Sequence, residues 1–226
     1  MANQIQVKRR IGTAQNISKI TKAMEMVAAS KMKKAQNQAL AARPYSQALY
    51  DSIATISQAS SLDNHPLLSN HEEGIKIMVV IGTDKGLCGA LNGNILKYLL
   101  EWRKNNPGGE VIAVGKKAVL TARSLGMNVY AQFTQLPEYI STKDIIPVTT
   151  LLLRGFSEKD FKSVDVLYTD FINTLSQQPK QAPLLPISRS FKPDVVEKKV
   201  EEKIQTKEYV FEPSPRSILD SLLPFY

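Results

Sequence analysis

From Thr13 to Arg43 the chain contains neither Gly nor Pro, and Ala, Met, Lys and Gln, all good helix formers, dominate. Apolar residues recur every three or four positions: Ile17, Ile20, Met24 and Val27, then Ala28, Met32, Ala35, Ala39 and Ala42. This narrow stripe drifts slowly around the axis, which predicts half of a coiled coil rather than the broad face of a globular-core helix. Its Ala-rich part lets a partner helix approach closely. Pro44 predicts a bend or break, after which Leu49, Ile53 and Ile56 resume the spacing to about Ser57. The straight part, Ile5 to Arg43, would measure ~58 Å at ~1.5 Å per residue.

A polar stretch, SSLDNHPLLSNHEEG, carries Pro66 and Gly74 and reads as a linker. Beyond it the pattern changes period. IKIMVVIGTD (Ile75–Asp84) predicts a buried strand, KGLCGALNGN a glycine-rich turn, and an amphipathic helix follows to about Trp102. EVIAVG gives a second strand, KKAVLTARSLG a helix closed by Gly126, and MNVYAQF a third strand. A helix around Val148–Arg154 leads to a fourth strand, Val164–Asn173. QAPLLPIS is expected at a sheet edge because its prolines cannot sit inside a ladder. Val200–Pro213 alternates and reads as a charged strand, and Ser214 caps a new helix with Pro215 in its first turn. Alternating strands and helices predict an α/β fold with a parallel sheet. The expected organisation is a helix over 1–58, a linker over 59–74, an α/β domain over 75–212 and the start of a further helix over 213–226.

Charge changes the picture of the rod. Residues 1–50 hold nine Lys and Arg (Lys8, Arg9, Arg10, Lys19, Lys22, Lys31, Lys33, Lys34, Arg43) against Glu25, and account for the whole net charge of +8. An acidic partner surface is the first implication. A nucleic-acid binder would also use such charge, but there are no Arg-rich clusters and no aromatic residue before Tyr45 for stacking. No apolar run is long enough to span a bilayer, and MANQIQVKRRIG lacks the apolar segment of a secretory signal. One cysteine, Cys88, fits a reducing compartment, and one Cys with two His argues against a zinc site.

The turn after the first strand is the natural place for phosphate chemistry. Gly82, Gly86 and Gly89 nevertheless fit neither G-x-G-x-x-G nor the P-loop pattern, and Lys85 stands before the second glycine, out of reach of phosphates. Tight packing is the expected role of this turn, with a nucleotide-binding enzyme as the alternative. Asp84 ends a strand where catalytic acids often sit, yet no His, acid or nucleophile is spaced to partner it. His65 and His71 are expected to be solvated in the linker, and Cys88 to be a small packed residue. No catalytic, cofactor-binding or metal-ligating set emerges.

VKRRI, ITKAMEMVAASKM (Ile20–Met32) and ARPY (Ala42–Tyr45) together closely resemble the N-terminal helix of the gamma subunit of F-type ATP synthases. TDKGLCGALN (Thr83–Asn92) resembles that family's second signature, and FEPSPRSILDSLLP (Phe211–Pro224) the stretch leading into its C-terminal helix. The resemblance implies a rotor shaft: an antiparallel coiled coil inside a ring of alpha and beta subunits, with a Rossmann-like domain beside the epsilon subunit and the c-ring. Ion flow would turn the shaft, whose asymmetry changes nucleotide affinity on the beta subunits. The chain itself would do no chemistry and bind no cofactor or nucleic acid. By resemblance Met24, Lys31, Lys33 and Lys34 lie near the moving loops of the beta subunits. Thr83, Asp84, Lys85, Gly86, Leu87 and Cys88 would lie near the ring's lower rim. The resemblance further implies a peripheral place on a membrane, and the start at Met1 directly before the rod favours the cytoplasmic face of a bacterial membrane over a mitochondrial or plastid one. It also implies a second coiled-coil helix continuing past Tyr226, so the sequence is expected to be incomplete there.

Overall fold

The computed structural model describes residues 2–59, 65–137, 140–187, 212 and 214–222. The first helix, α1, runs from Ala2 to Ala59 without interruption. Of the bend or break expected at Pro44, the break does not occur. Proline removes one backbone donor and costs about 3 kcal/mol in a helix interior. Here long runs of good helix formers precede it, and Leu49, Ile53 and Ile56 beyond it are buried in the domain core. Three such side chains are each worth about 1.5–3 kcal/mol when fully buried, enough to offset that cost.

The domain is a five-stranded sheet in the order β3-β2-β1-β4-β5. Its strands are β1 (Ile75–Ile81), β2 (Glu110–Val114), β3 (Val129–Phe133), β4 (Phe161–Phe171) and β5 (Gln177–Leu185). The first four are parallel, and β5 runs antiparallel to β4. The sheet is thus mixed rather than wholly parallel. The reason is local: only Ile172–Ser176 joins β4 to β5, and so short a link can connect only antiparallel neighbours. Pro179 and Pro183 lie in β5, at the sheet edge, as their missing donors require. The strand expected over Val200–Pro213 falls almost wholly outside the described residues.

Helices cover both faces. On one, α2 (Leu91–Asn105) and α3 (Lys116–Ser124) pack Ile95, Leu99, Trp102, Ala118 and Ala122 on Met78, Val80, Val111 and Leu167. On the other, α4 (Thr142–Ser157) and the end of α1 bury Leu152, Phe156, Leu49, Ile53 and Ile56 against Ile77, Val79, Ile112 and Val164. Helix α5 (Pro215–Leu222) adds Ile218 and Leu222 to this second cluster, and the Ser214 hydroxyl accepts from the Ser217 N–H at 3.2 Å, the predicted cap. Alternate strand residues face opposite clusters because side chains alternate along a strand. Gly126, at φ +65°, closes α3 as expected.

The two histidines correct the sequence reading. His65 is buried, and its Nδ1 accepts from the Leu67 N–H at 3.1 Å. The His71 ring stacks on Phe156 at 4.2 Å, with Nδ1 3.0 Å from the Phe161 carbonyl oxygen. Residues 65–74 are polar in sequence but lie over the core: Leu67 is buried, and its carbonyl accepts from Ile187 N–H at 2.8 Å.

Candidate functional site

Two surfaces carry the residues singled out by sequence. The first is the free length of α1. From Asn3 to Ala48 every residue is exposed except Gly12, Gln36 and Gln47, which are partly covered. Ile17, Ile20, Met24 and Val27 are among the exposed large apolar residues, Met24 at 53 %. Lys31, Lys33 and Lys34 are exposed beside them. The spacing Ile20, Met24, Val27, Lys31, Lys34, Gln38 alternates four and three, so these residues share one seam. With Leu49, Ile53 and Ile56 the same side of the helix enters the core. One continuous face is therefore apolar and covered at its C-terminal end, and apolar, basic and uncovered over the rest.

The seam touches the domain at Gln38, whose Nε2 donates to the Ile140 carbonyl at 3.1 Å. Ile140 precedes α4, where the Ser141 hydroxyl and N–H both donate to one Asp144 oxygen, at 2.7 and 2.8 Å. Those two hydrogen bonds hold the Asp144 carboxyl below its ordinary range. Above Gln38 about 35 residues of helix remain, or ~50 Å at ~1.5 Å per residue.

The second surface is the turn between β1 and α2. Thr83 Oγ1 donates to the Lys85 carbonyl at 2.7 Å, and Asn92 Nδ2 donates to Thr83 Oγ1 at 2.9 Å and to Cys88 Sγ at 3.0 Å. Cys88 is half-buried as a small packed group. Asp84 reaches across to another helix: its Oδ1 accepts from Lys116 N–H, the first amide of α3, at 2.9 Å. The next amide, Lys117 N–H, donates to the Thr83 carbonyl at 2.8 Å. A carboxylate at a helix N-terminus satisfies an orphan donor and meets the positive end of the dipole. Asp84 is thus a cap of α3. Nothing local in the sequence signals this, because residue and helix are 32 positions apart.

Close packing accounts for two glycines here. A Cβ on Gly82 would stand 2.9 Å from the Ala118 backbone nitrogen, and Gly115, at φ +95°, faces the Gly82 carbonyl. Gly86 and Gly89, by contrast, have open space beside them. Lys85, Gly86 and Leu87 are exposed, and Leu87 is 96 % exposed at φ +61°. Among the described residues no three His, Cys, Asp or Glu side chains are placed to hold a metal. No described helix is long and apolar enough to cross a membrane.

Comparison with known proteins adds to this geometry. The family model described as ATP synthase matches residues 3–226. The ATP synthase gamma chain of Haemophilus influenzae (strain PittGG) is 35% identical over 230 residues, covering 100% of this chain and 78% of the relative. The gamma chain of Glaesserella parasuis serovar 5 is 36% identical over the same shares. A chain of the Tetrahymena thermophila mitochondrial ATP synthase central stalk/c-ring structure has a TM-score of 0.64 at 21% identity, covering 92% of this chain and 87% of that one, a likeness of fold.

Proposed function

The chain belongs to the ATP synthase gamma-chain family, and we infer that it is the central-stalk rotor that couples ion-driven c-ring rotation to ATP synthesis in a ring of alpha and beta subunits. The observation that carries this reading is the rod: about 35 residues of α1, basic and apolar on one seam, are almost all exposed. Burying that seam needs a second helix, and the surrounding charge needs acidic walls. A shaft of that kind is stiff because nothing interrupts its backbone hydrogen bonds before Pro44. Its charge is spread along its length, so attraction to the walls is screened and non-specific, and the shaft turns without being held.

In this reading the Rossmann-like domain, 75–212, is the foot of the rotor, next to the epsilon subunit and the c-ring, and the helix over 1–58 is the shaft. Met24, Lys31, Lys33 and Lys34 face the moving loops of the beta subunits, and Thr83–Cys88 lie toward the lower rim of the ring. Catalysis belongs to the beta subunits, and the complex holds this chain at the cytoplasmic face of a bacterial membrane as a peripheral subunit. The enclosed use of Asp84 as a cap supports a structural role for the turn over a nucleotide site.

The test is reconstitution. Supplied to alpha and beta subunits that lack a gamma chain, this chain should co-purify with them and restore rotation driven by ATP hydrolysis, seen with a bead on the domain. A chain that neither co-purifies nor restores rotation refutes the reading.

A further inference from the structure

The parallel strands all end on the side of the sheet from which the rod rises. Ile140, which meets Gln38, follows the end of β3. The Leu87 turn follows β1, and the β4–β5 hairpin tip follows β4, the neighbour of β1. Val80 near the end of β1 pairs with Leu167, and β4 continues four residues further, to Phe171, which carries the tip ~13 Å past that pair at ~3.3 Å per residue. Large apolar side chains are exposed on this edge: Leu87 (96 %), Leu175 (95 %), Ile172 and Phe171.

Neither tip is explained by folding. Leu87 adopts φ +61°, a region that disfavours side chains with a Cβ by about 1–2 kcal/mol, while its side chain packs on almost nothing. Leu175 sits in a stiff turn: Asn173 Oδ1 accepts from the Leu175 and Ser176 N–H groups at 2.9 and 2.8 Å, and Gln177 Nε2 donates to the Asn173 carbonyl at 3.0 Å. Asn173 thus fixes the tip while Leu175 points away from the protein.

We propose that the β4–β5 hairpin tip, Ile172 and Leu175, is a second foot of this edge and seats on the same alpha/beta ring as the Leu87 turn. This rests on the rotor reading. The reason is geometric. Any sleeve that encloses the exposed rod must end where the domain begins, and the domain's rod-side edge is the one that carries these tips. Lys85 two residues before Leu87, and Lys116 and Lys117, whose amides meet Asp84 and the Thr83 carbonyl, make that part of the edge basic, so the matching rim is acidic with apolar pockets. Two stiff contacts on one edge would fix the tilt of the domain against the ring, which a single turn cannot do.

The experiment uses single-cysteine chains in a Cys88→Ser background: Leu175→Cys, Ile172→Cys and, at the far end of α2, the exposed Lys104→Cys. Fluorescein maleimide labelling is followed in the free chain and after assembly with alpha and beta subunits. The expected result is loss of labelling at 172 and 175 on assembly with labelling at 104 retained, and photo-cross-links from benzophenone maleimide at 175 to alpha or beta. An assembled complex in which 175 labels as in the free chain, or cross-links to another copy of this chain, overturns the second foot and leaves the rotor reading standing. Failure to assemble overturns both.

Discussion

Gly155 and Gly93 both lie inside helices, and the same substitution should have opposite effects at the two sites. Gly155 lies in α4 over β4, where a Cβ would stand 2.8 Å from Phe161 Cδ2 and closer still to two other ring atoms. Phe161 is fully buried, so the ring has nowhere to retreat. Gly93 in α2 has nothing within 4 Å of the added atom. Replacing Gly by Ala inside a helix gains about 0.8–1 kcal/mol through backbone entropy. Forcing a methyl into a filled core costs about 1–3 kcal/mol, and three sub-contact ring atoms place Gly155→Ala in the upper part of that range. The expected net loss is about 1–2 kcal/mol, against a gain of about 0.5–1 kcal/mol for Gly93→Ala. For a chain of this size each kcal/mol moves Tm by about 2–4 °C. Thermal melts by circular dichroism should therefore show Gly155→Ala below the parent and Gly93→Ala above it. A higher Tm for Gly155→Ala would refute the packing argument, since it would mean that α4 and β4 do not meet at this spacing.

Asp84→Ala should cost about 1 kcal/mol in urea denaturation, the usual worth of a cap, and Asp84→Asn less, because the acceptor at Lys116 N–H is kept; equal losses would deny the capping role. Burial raises the Asp165 carboxyl above its ordinary value, against a Gln181 hydrogen bond and the nearby Lys76 charge that both lower it. A raised folded-state pKa gives a stability contribution present below the unfolded value, near 3.8, and lost as pH rises through the folded value. Asp165→Asn should accordingly melt higher than the parent at pH 7 and converge with it in acid, as a pH series of melts would show. On α1, Ile53→Ala should cost about 2–5 kcal/mol as a core truncation. Ile20→Asp should leave the melt of the free chain unchanged and weaken co-purification with alpha and beta subunits.

Much of the architecture was legible because it is written in local periods. A repeat of three and four marks α1 whether or not anything covers it, and runs such as Ile77–Val80 mark strands buried on both faces. Signals adjacent in sequence, Ser214 before α5 and Gly126 after α3, were read correctly for the same reason: cap and helix are neighbours in the chain. At Pro44 the local penalty is known from sequence, whereas the anchoring of Leu49, Ile53 and Ile56, which carries the helix through it, depends on a core assembled from strands far along the chain. The burial of His65 and the stacking of His71 are hidden for the same reason, since polar neighbours say nothing about a sheet face folding beneath them.

Recognition of the family came from strings in the sequence alone, and so did the residues expected to meet partners. What those residues do within the molecule was decided by tertiary structure. Asp84 became the cap of α3 only because β2 lies beside β1, which brings Lys116 to within 2.9 Å of its carboxylate. Leu87 and Leu175, 88 positions apart, share one edge only because β4 lies parallel to β1 and ends on the same side. A sequence fixes which residues can repeat, turn and cap within a few positions. Strand order is a global minimum of packing over the whole domain, and it alone determines which distant side chains share a surface.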